Sequence, residues 1–379
     1  MLRKKSTFLV ILVALLFVLS VSFVGCGPAE APEDDPADEP GEETGDDEET
    51  AEPGEPEYEW RFGAFFAEWH PLTKGAQKFA DTMRELTNGR VVIDVYPSMQ
   101  LGDGEEMIEG VQLGTIEMCE ASLAWVAGFD DSFYVFNLPF LFQEPEVAYA
   151  FFDGPIGQEF IGEIGNTGIR MLGFWENGVR HITSNKGPIV LPEDIQGQDI
   201  RTMPNEVHLE AFKQVGANPM PLAFGEVFTA LQQGVIDGQE NPLANIKDMS
   251  FQEVQDYLTI SGHFYDATGF YINKELYDSL PADIQAAIDE AAVVATKYHR
   301  QVAREADEEL LEEFMGSGEF KEITVLTPEQ KAVWQEAMSG TYDVFRDQIG
   351  SDFLDRVLEE ADRLHELYYA GELDVSDLY

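Results

Sequence analysis

A chain of 379 residues with 23 Lys and Arg against 72 Asp and Glu carries a formal net charge of −49. No basic stripe can be assembled from so few cations to neutralise phosphates, which excludes nucleic acid as a partner. Only two cysteines are present, Cys26 and Cys119, which also excludes a disulfide framework and a cysteine metal cluster.

Arg3, Lys4 and Lys5 precede an apolar run from Thr7 to Val24, and the run closes on Phe23-Val24-Gly25-Cys26. A charged start, an apolar stretch, a small residue and a Cys in that order read as an export signal over 1–26. The ending resembles the lipobox of bacterial lipoproteins, with Phe23 where Leu is usual, and that resemblance implies a lipid on Cys26. An uncleaved anchor with an incidental Cys is the alternative. Either puts the folded part outside the cytoplasm, beside a membrane. Residues 27–57 follow as an acidic tether: Ala29 to Glu57 holds 15 acidic residues and no Lys or Arg. Such a segment buries too little apolar surface to offset chain entropy. Acidity continues evenly along the rest of the chain, as in surfaces adapted to high salt, where self-repulsion is screened.

Tyr58 to Phe66 has strand composition, and Pro71 to Thr87 has apolar residues at helical spacing before Asn88-Gly89. Arg90 to Pro97 reads as a buried strand, Glu105 to Gln112 as a helix after Leu101-Gly102-Asp103-Gly104, and Ile116 to Ala121 as an apolar strand holding Cys119 in the core. Strands alternating with amphipathic helices predict βαβ units and an α/β fold of mostly parallel sheets with flanking helices. Ligands of such sheets sit beyond the carboxyl ends of the strands, which makes Asp103 and Glu120 candidates. Phe136 to Phe142 reads as a buried connection, Glu144 to Ile164 as a helix, and Arg170 to Trp175 as a strand.

Arg180 and Arg201 stand out as isolated cations on extended sequence. A guanidinium fits a carboxylate with two parallel bonds, and Pro204 after Arg201 stiffens that presentation. His181 reads as a packed or surface histidine. Asn241, before Pro242, offers an amide either to a ligand or as a cap for the following helix. Pro281 to about Met315 predicts a helix about 50 Å long; Thr327 to Met338 and Ser351 to Tyr369 predict closing helices.

Leu101-Gly102-Asp103, Leu138-Pro139-Phe140, Arg180 with Thr183-Ser184-Asn185, Arg201 with Pro204-Asn205, and Gly234 through Pro242 come in one order. In that order they resemble the extracytoplasmic solute-binding proteins of TRAP transporters, the DctP type. The resemblance spans about Tyr58 to Leu364. It implies a two-lobed, class II-like binding-protein fold that closes on an organic acid anion and passes it to a membrane permease, with a long helix linking the lobes and hinges near Gly178 and Asp266. The implied lobes are 58–177 plus 267–305 and 178–266 plus 306–379. It also implies Arg201 as the carboxylate partner, Arg180 as a second basic contact, Asn241 as an amide contact, Phe224 as an aromatic wall and Glu120 as a polar group on the opposite lobe. Phe65, Phe66 and Leu123 stand where sialic-acid binders are polar, which disfavours a polyhydroxylated sugar acid. Trp69, Trp125 and Trp175 either line the pocket for an aromatic or branched acid or belong to the core.

No cofactor is expected, and the partners expected are a small carboxylate, the permease subunits and a membrane reached through the lipid. An exported hydrolase is disfavoured, since there is no Gly-x-Ser-x-Gly elbow, His-Glu-x-x-His pair or phosphate loop. A sensor showing its bound state to a membrane receptor is the other alternative.

Overall fold

Each short apolar run pairs with neighbours of its own kind. The computed structural model describes residues 55–379. Among them one sheet is built from β1 (Tyr58–Gly63), β2 (Val91–Tyr96), β3 (Met118–Ser122), β4 (Gly162–Glu163), β5 (Ile169–Ser184), β6 (Asp199–Thr202), β7 (Asn218–Pro221), β8 (Gly238–Asn241), β9 (Tyr257–Asn273) and β10 (Glu322–Val325). The strand order is β2-β1-β3-β9-β5-β8-β6-β7, with β10 on β9 and β4 on β5. Strand β1 lies parallel to β2 and β3, and β6 lies parallel to β7 and β8. Between these groups run β5 and β9, 16 and 17 residues long and antiparallel to each other. The sheet is therefore parallel within each end group and antiparallel where the groups join, and the fold is a two-lobed α/β fold.

The helices are α1 (Pro71–Leu86), α2 (Gly104–Leu113), α3 (Leu123–Val126), α4 (Pro145–Asp153), α5 (Pro155–Gln158), α6 (Glu206–Gln214), α7 (Val227–Gln232), α8 (Leu243–Asp248), α9 (Lys274–Ser279), α10 (Ala282–Ser317), α11 (Pro328–Met338), α12 (Gly340–Ile349) and α13 (Ser351–Ala370). In α1 the apolar stripe Leu72, Ala76, Phe79 and Met83 is buried, as its spacing requires. The 36 residues of α10 span about 54 Å at 1.5 Å each. This helix packs on α1, β5 and α8, and its Arg304 pairs with buried Glu176 of β5. A second, smaller core under the far strands holds Ile182, Ile200, Phe212, Phe264 and Trp334.

The structure departs from the expected elements at two places. The helix expected over 144–164 stops at Asp153, because Gly154 is extended and Pro155 has no N–H to continue the ladder. The chain then makes only the short α5 and turns into β4. Conversely, the strand expected to end near Trp175 runs on to Ser184. Gly178 is paired with Asp266, with a register shift between Glu176 and Gly178, so the bend is absorbed by a bulge and the strand is not broken.

Gly178 has φ +135, and a Cβ there would lie 2.7 Å from Cβ of Pro242. Gly178→Ala is expected to destabilise the fold by roughly 1–3 kcal/mol, since only glycine takes that backbone without strain. Urea unfolding measures this, and an unchanged midpoint would show that the bulge relaxes freely.

Candidate ligand site

Arg201 lies in β6, opposite Met220 of β7 and Gln239 of β8. Pro204 and Asn205 end the strand. The Asn205 side chain accepts from Val207 N (3.0 Å) and His208 N (3.3 Å) to start α6, and its amide donates to Ala124 O (2.9 Å). That last bond ties the Arg201 strand to α3, which follows β3 in the other strand group. The guanidinium is 1 % exposed. Its Nε and Nη2 donate to the Leu222 carbonyl at 3.0 and 2.8 Å, while Nη1 is buried with no partner. Burial, reinforced by Arg180, pulls its pKa down to about 9, so it stays cationic at neutral pH.

Arg180 lies in β5 opposite Phe264 of β9. All three of its nitrogens are engaged. Nε donates to Glu240 Oε2 at 2.5 Å, Nη1 to Asp266 Oδ2 at 2.6 Å, and Nη2 to Glu240 Oε1 at 2.8 Å, Glu240 O at 2.6 Å and Asn241 Oδ1 at 3.1 Å. Burial alone would raise the Glu240 carboxyl, but the adjoining guanidinium and His263 override it and hold it well below the usual carboxylate range.

Asn241 follows on β8. It does not cap α8; its amide donates to Gln239 Oε1 (2.5 Å), and its oxygen accepts from Arg180 and from Asn245 Nδ2 (3.2 Å). Asn245 Oδ1 is in turn 3.0 Å from His70 Nε2. Because His70 Nδ1 accepts from Leu72 N, Nε2 carries the proton and donates.

Phe65, Phe66, Trp125, Asn177, Met203, Phe224 and Asn245 join Arg180, Arg201 and Asn241 around one cavity of about 20 Å³. That is room for about one water molecule, so the walls must part before an organic acid can enter. The ring of Phe65 is 5.4 Å from those of Trp125 and Phe224, and Phe66 is 5.6 Å from Phe224. These contacts close the aromatic wall across the two strand groups. Arg201 Cζ lies 5.8 Å from the Phe224 ring.

Of the residues singled out in the sequence, Arg201, Arg180, Asn241, Phe224 and Phe65 meet here, together with Trp125. Trp175, Asp103, Glu120, Trp69 and Leu123 do not border the cavity. Trp175 is core, stacked between Phe62 and Phe270, with its indole donating to Thr296. Asp103 caps α2 in a reciprocal box with Glu106. The next residue, Gly104, lets the Trp125 ring approach to where a side chain would sit. Glu120 lies behind Phe65, whose backbone N–H donates to its Oε1 at 2.8 Å. Trp69 is 39 % exposed. Asn177, Asn245 and Met203 were not singled out. Asn245 could have been, since it lies one helical turn after Asn241.

Burial pushes the Glu120 pKa up to about 7, against the pull of the Phe65 bond. A raised carboxyl binds its proton in the folded state before it does in the unfolded one, so its share of stability is full below about pH 4.5 and is lost as pH rises through 7. Glu120→Gln is therefore expected to remove a decline on the order of 2–3 kcal/mol between pH 4.5 and 7.5. Chemical denaturation at several pH values tests this, and parallel wild-type and variant curves would contradict it.

The model of the family described as "Bacterial extracellular solute-binding protein, family 7" (DctP) matches residues 62–348. The chain is 35 % identical over 286 residues to the C4-dicarboxylate-binding periplasmic protein DctP of Rhodobacter capsulatus, covering 74 % of this chain and 84 % of that one. It is similar to the sugar acid binding protein of Advenella mimigardefordensis solved with galactonate: TM-score 0.78, 32 % identity, 82 % of this chain and 99 % of that one. It is also similar to a TRAP periplasmic solute-binding protein of Sulfurospirillum deleyianum with bound succinate, at TM-score 0.75 and 38 % identity, covering 80 % and 98 %. With the match spanning both strand groups and every element that builds the cavity, the chain belongs to the DctP family of TRAP solute-binding proteins.

Proposed function

We propose that this protein captures an organic acid anion whose carboxylate accepts from Nη1 of Arg201, and delivers it to a TRAP permease in the membrane. One observation carries the reading. A buried guanidinium, braced on Leu222, keeps one nitrogen without a partner at a cavity formed by both strand groups. Arg180 supports it from behind, and Asn241 holds Arg180. Ligand contacts made by both groups exist only when the cleft is closed, so binding shifts the population toward closure.

The reading places 58–177 with 267–305 in the first lobe, and 178–266 with 306–350 in the second. Residues 351–379 are assigned to the first lobe instead of the second, because α13 packs on α4 and Arg300 donates to Leu378 O. The bulge at Gly178 and Asp266 serves as the hinge. The side chains at the cavity are aromatic, amide, thioether and guanidinium groups, which suit holding better than catalysis. The export segment and Cys26 lie outside the described residues; a lipid on Cys26 would keep the protein beside its permease.

A thermal-shift screen against succinate, malate, lactate, 2-oxo acids, aromatic acids, sugar acids and ectoine tests the ligand class. A ligand of the folded state raises the melting temperature with the logarithm of its excess over Kd. At least one acid is expected to shift it. A shift confined to ectoine would replace the carboxylate reading by one for zwitterions.

A further inference from the structure

We infer that the ligand is a monocarboxylate with an apolar body, and that Asp266 and Glu240 are what exclude a second carboxylate. The inference rests on the Arg201 reading above and narrows it.

Arg180 is not available to an incoming acid, because Glu240 takes its Nε and Nη2 while Asp266 takes Nη1. Asp266 is an acceptor throughout: Oδ1 from Ser122 Oγ at 2.6 Å, and Oδ2 from Asn177 Nδ2 at 2.7 Å as well as from Arg180. That pattern belongs to an ionised carboxylate. Two guanidinium groups thus face two carboxylates, all four at most 5 % exposed. A monoanion added to this neutral set leaves one uncompensated charge and a dianion leaves two, in a space with little water to screen them.

Hydrogen-bonding capacity points the same way. A hydroxylated acid needs donors and acceptors along its body, yet the amides at the cavity already spend most of theirs on neighbouring groups, with one N–H each of Asn177 and Asn241 left over. Asn241 donates to Gln239, Asn245 donates to Asn177 and Asn241, and Asn177 donates to Asp266. Buried hydroxyls without partners are expelled. What remains for the rest of the ligand is the wall of Phe65, Phe66, Trp125, Met203 and Phe224, which rewards apolar surface.

Isothermal titration of the purified protein with 4-methyl-2-oxopentanoate, phenylacetate, succinate and gluconate decides the matter. One of the first two acids should bind at least about 100-fold tighter than either of the others. Succinate or gluconate as the tightest ligand would overturn the inference and leave the Arg201 reading standing. No heat from any acid, together with no thermal shift from any carboxylate, would remove both. Asp266→Asn gives an independent check. With one carboxylate neutralised, succinate should gain about 10-fold relative to the better monocarboxylate. An unchanged ratio in a folded variant would overturn the charge argument, and if that variant does not fold, the wild-type series decides.

Discussion

Arg201→Lys is expected to bind the preferred acid roughly 100-fold more weakly than the wild type, with its circular dichroism unchanged. The size of the loss follows from how the guanidinium is shared. Two of its nitrogens hold the Leu222 carbonyl and so fix the plane and reach of the third. A lysine ends in a single ammonium on a flexible stem, and that ammonium can satisfy Leu222 or the ligand without a frame to orient it. Charge is conserved in the substitution, so what is lost is directional, charge-assisted bonding to an oxygen in a buried site. Calorimetric titration measures the change. An affinity within a factor of three of the wild type would show that Arg201 is not the carboxylate partner.

The second large effect falls on stability. Glu240→Ala should lower the unfolding free energy by roughly 3–5 kcal/mol, because it strands the buried Arg180 cation with Asp266 as its remaining ion-pair partner. Glu240→Gln, which keeps an acceptor but loses the charge, should recover part of it. The pH dependence separates this from a simple packing loss. Glu240 has a depressed pKa in the fold, so its contribution is complete above the ordinary carboxylate range and is lost as pH falls through and below it. The gap between wild type and Glu240→Ala should therefore shrink in acid. Urea unfolding at pH 7 and pH 4 reads both quantities, and a gap independent of pH would assign the loss to the cavity left by the side chain.

Much of the architecture was legible because it is written locally. Pro71 and Asn88-Gly89 bracket α1, Asp103 and Gly114 bracket α2, and Asn205 starts α6. Proline, glycine and capping side chains act over a few residues, and their effect can be read without knowing the fold. Gly154-Pro155 carried the same kind of signal, and a continuous apolar pattern around it masked the break. Arg201 and Phe224 were recognisable through the family resemblance and the stiff Pro204-Asn205 turn. The engagement of Arg180 was not. Its carboxylate partners are 60 and 86 residues away, and in a chain with 72 acids no local pattern marks those two. Trp175 shows a further limit. An aromatic residue on a strand looks alike whether it faces a ligand or the core, and only the packing of Phe62, Phe270 and α10 around it decides.

The way β9 is threaded through the sheet also governs how this chain can come to exist outside the cell. Strand β3 has β1 on one side and Thr268 to Ile272 of β9 on the other, and β5 is zipped along nearly its whole length to the same distant strand. No stretch ending before residue 268 can complete either half of the sheet. A polypeptide belonging to an extracellular family must cross a membrane, and here the pairings to β9 that join the two strand groups cannot form while its N-terminal half is passing. Assembly then waits on closing very long loops, which makes folding slow and late. The exposed edges of β3 and β5 are the price during that interval, and the uniform negative charge of the chain supplies the repulsion that keeps neighbouring unfinished copies apart.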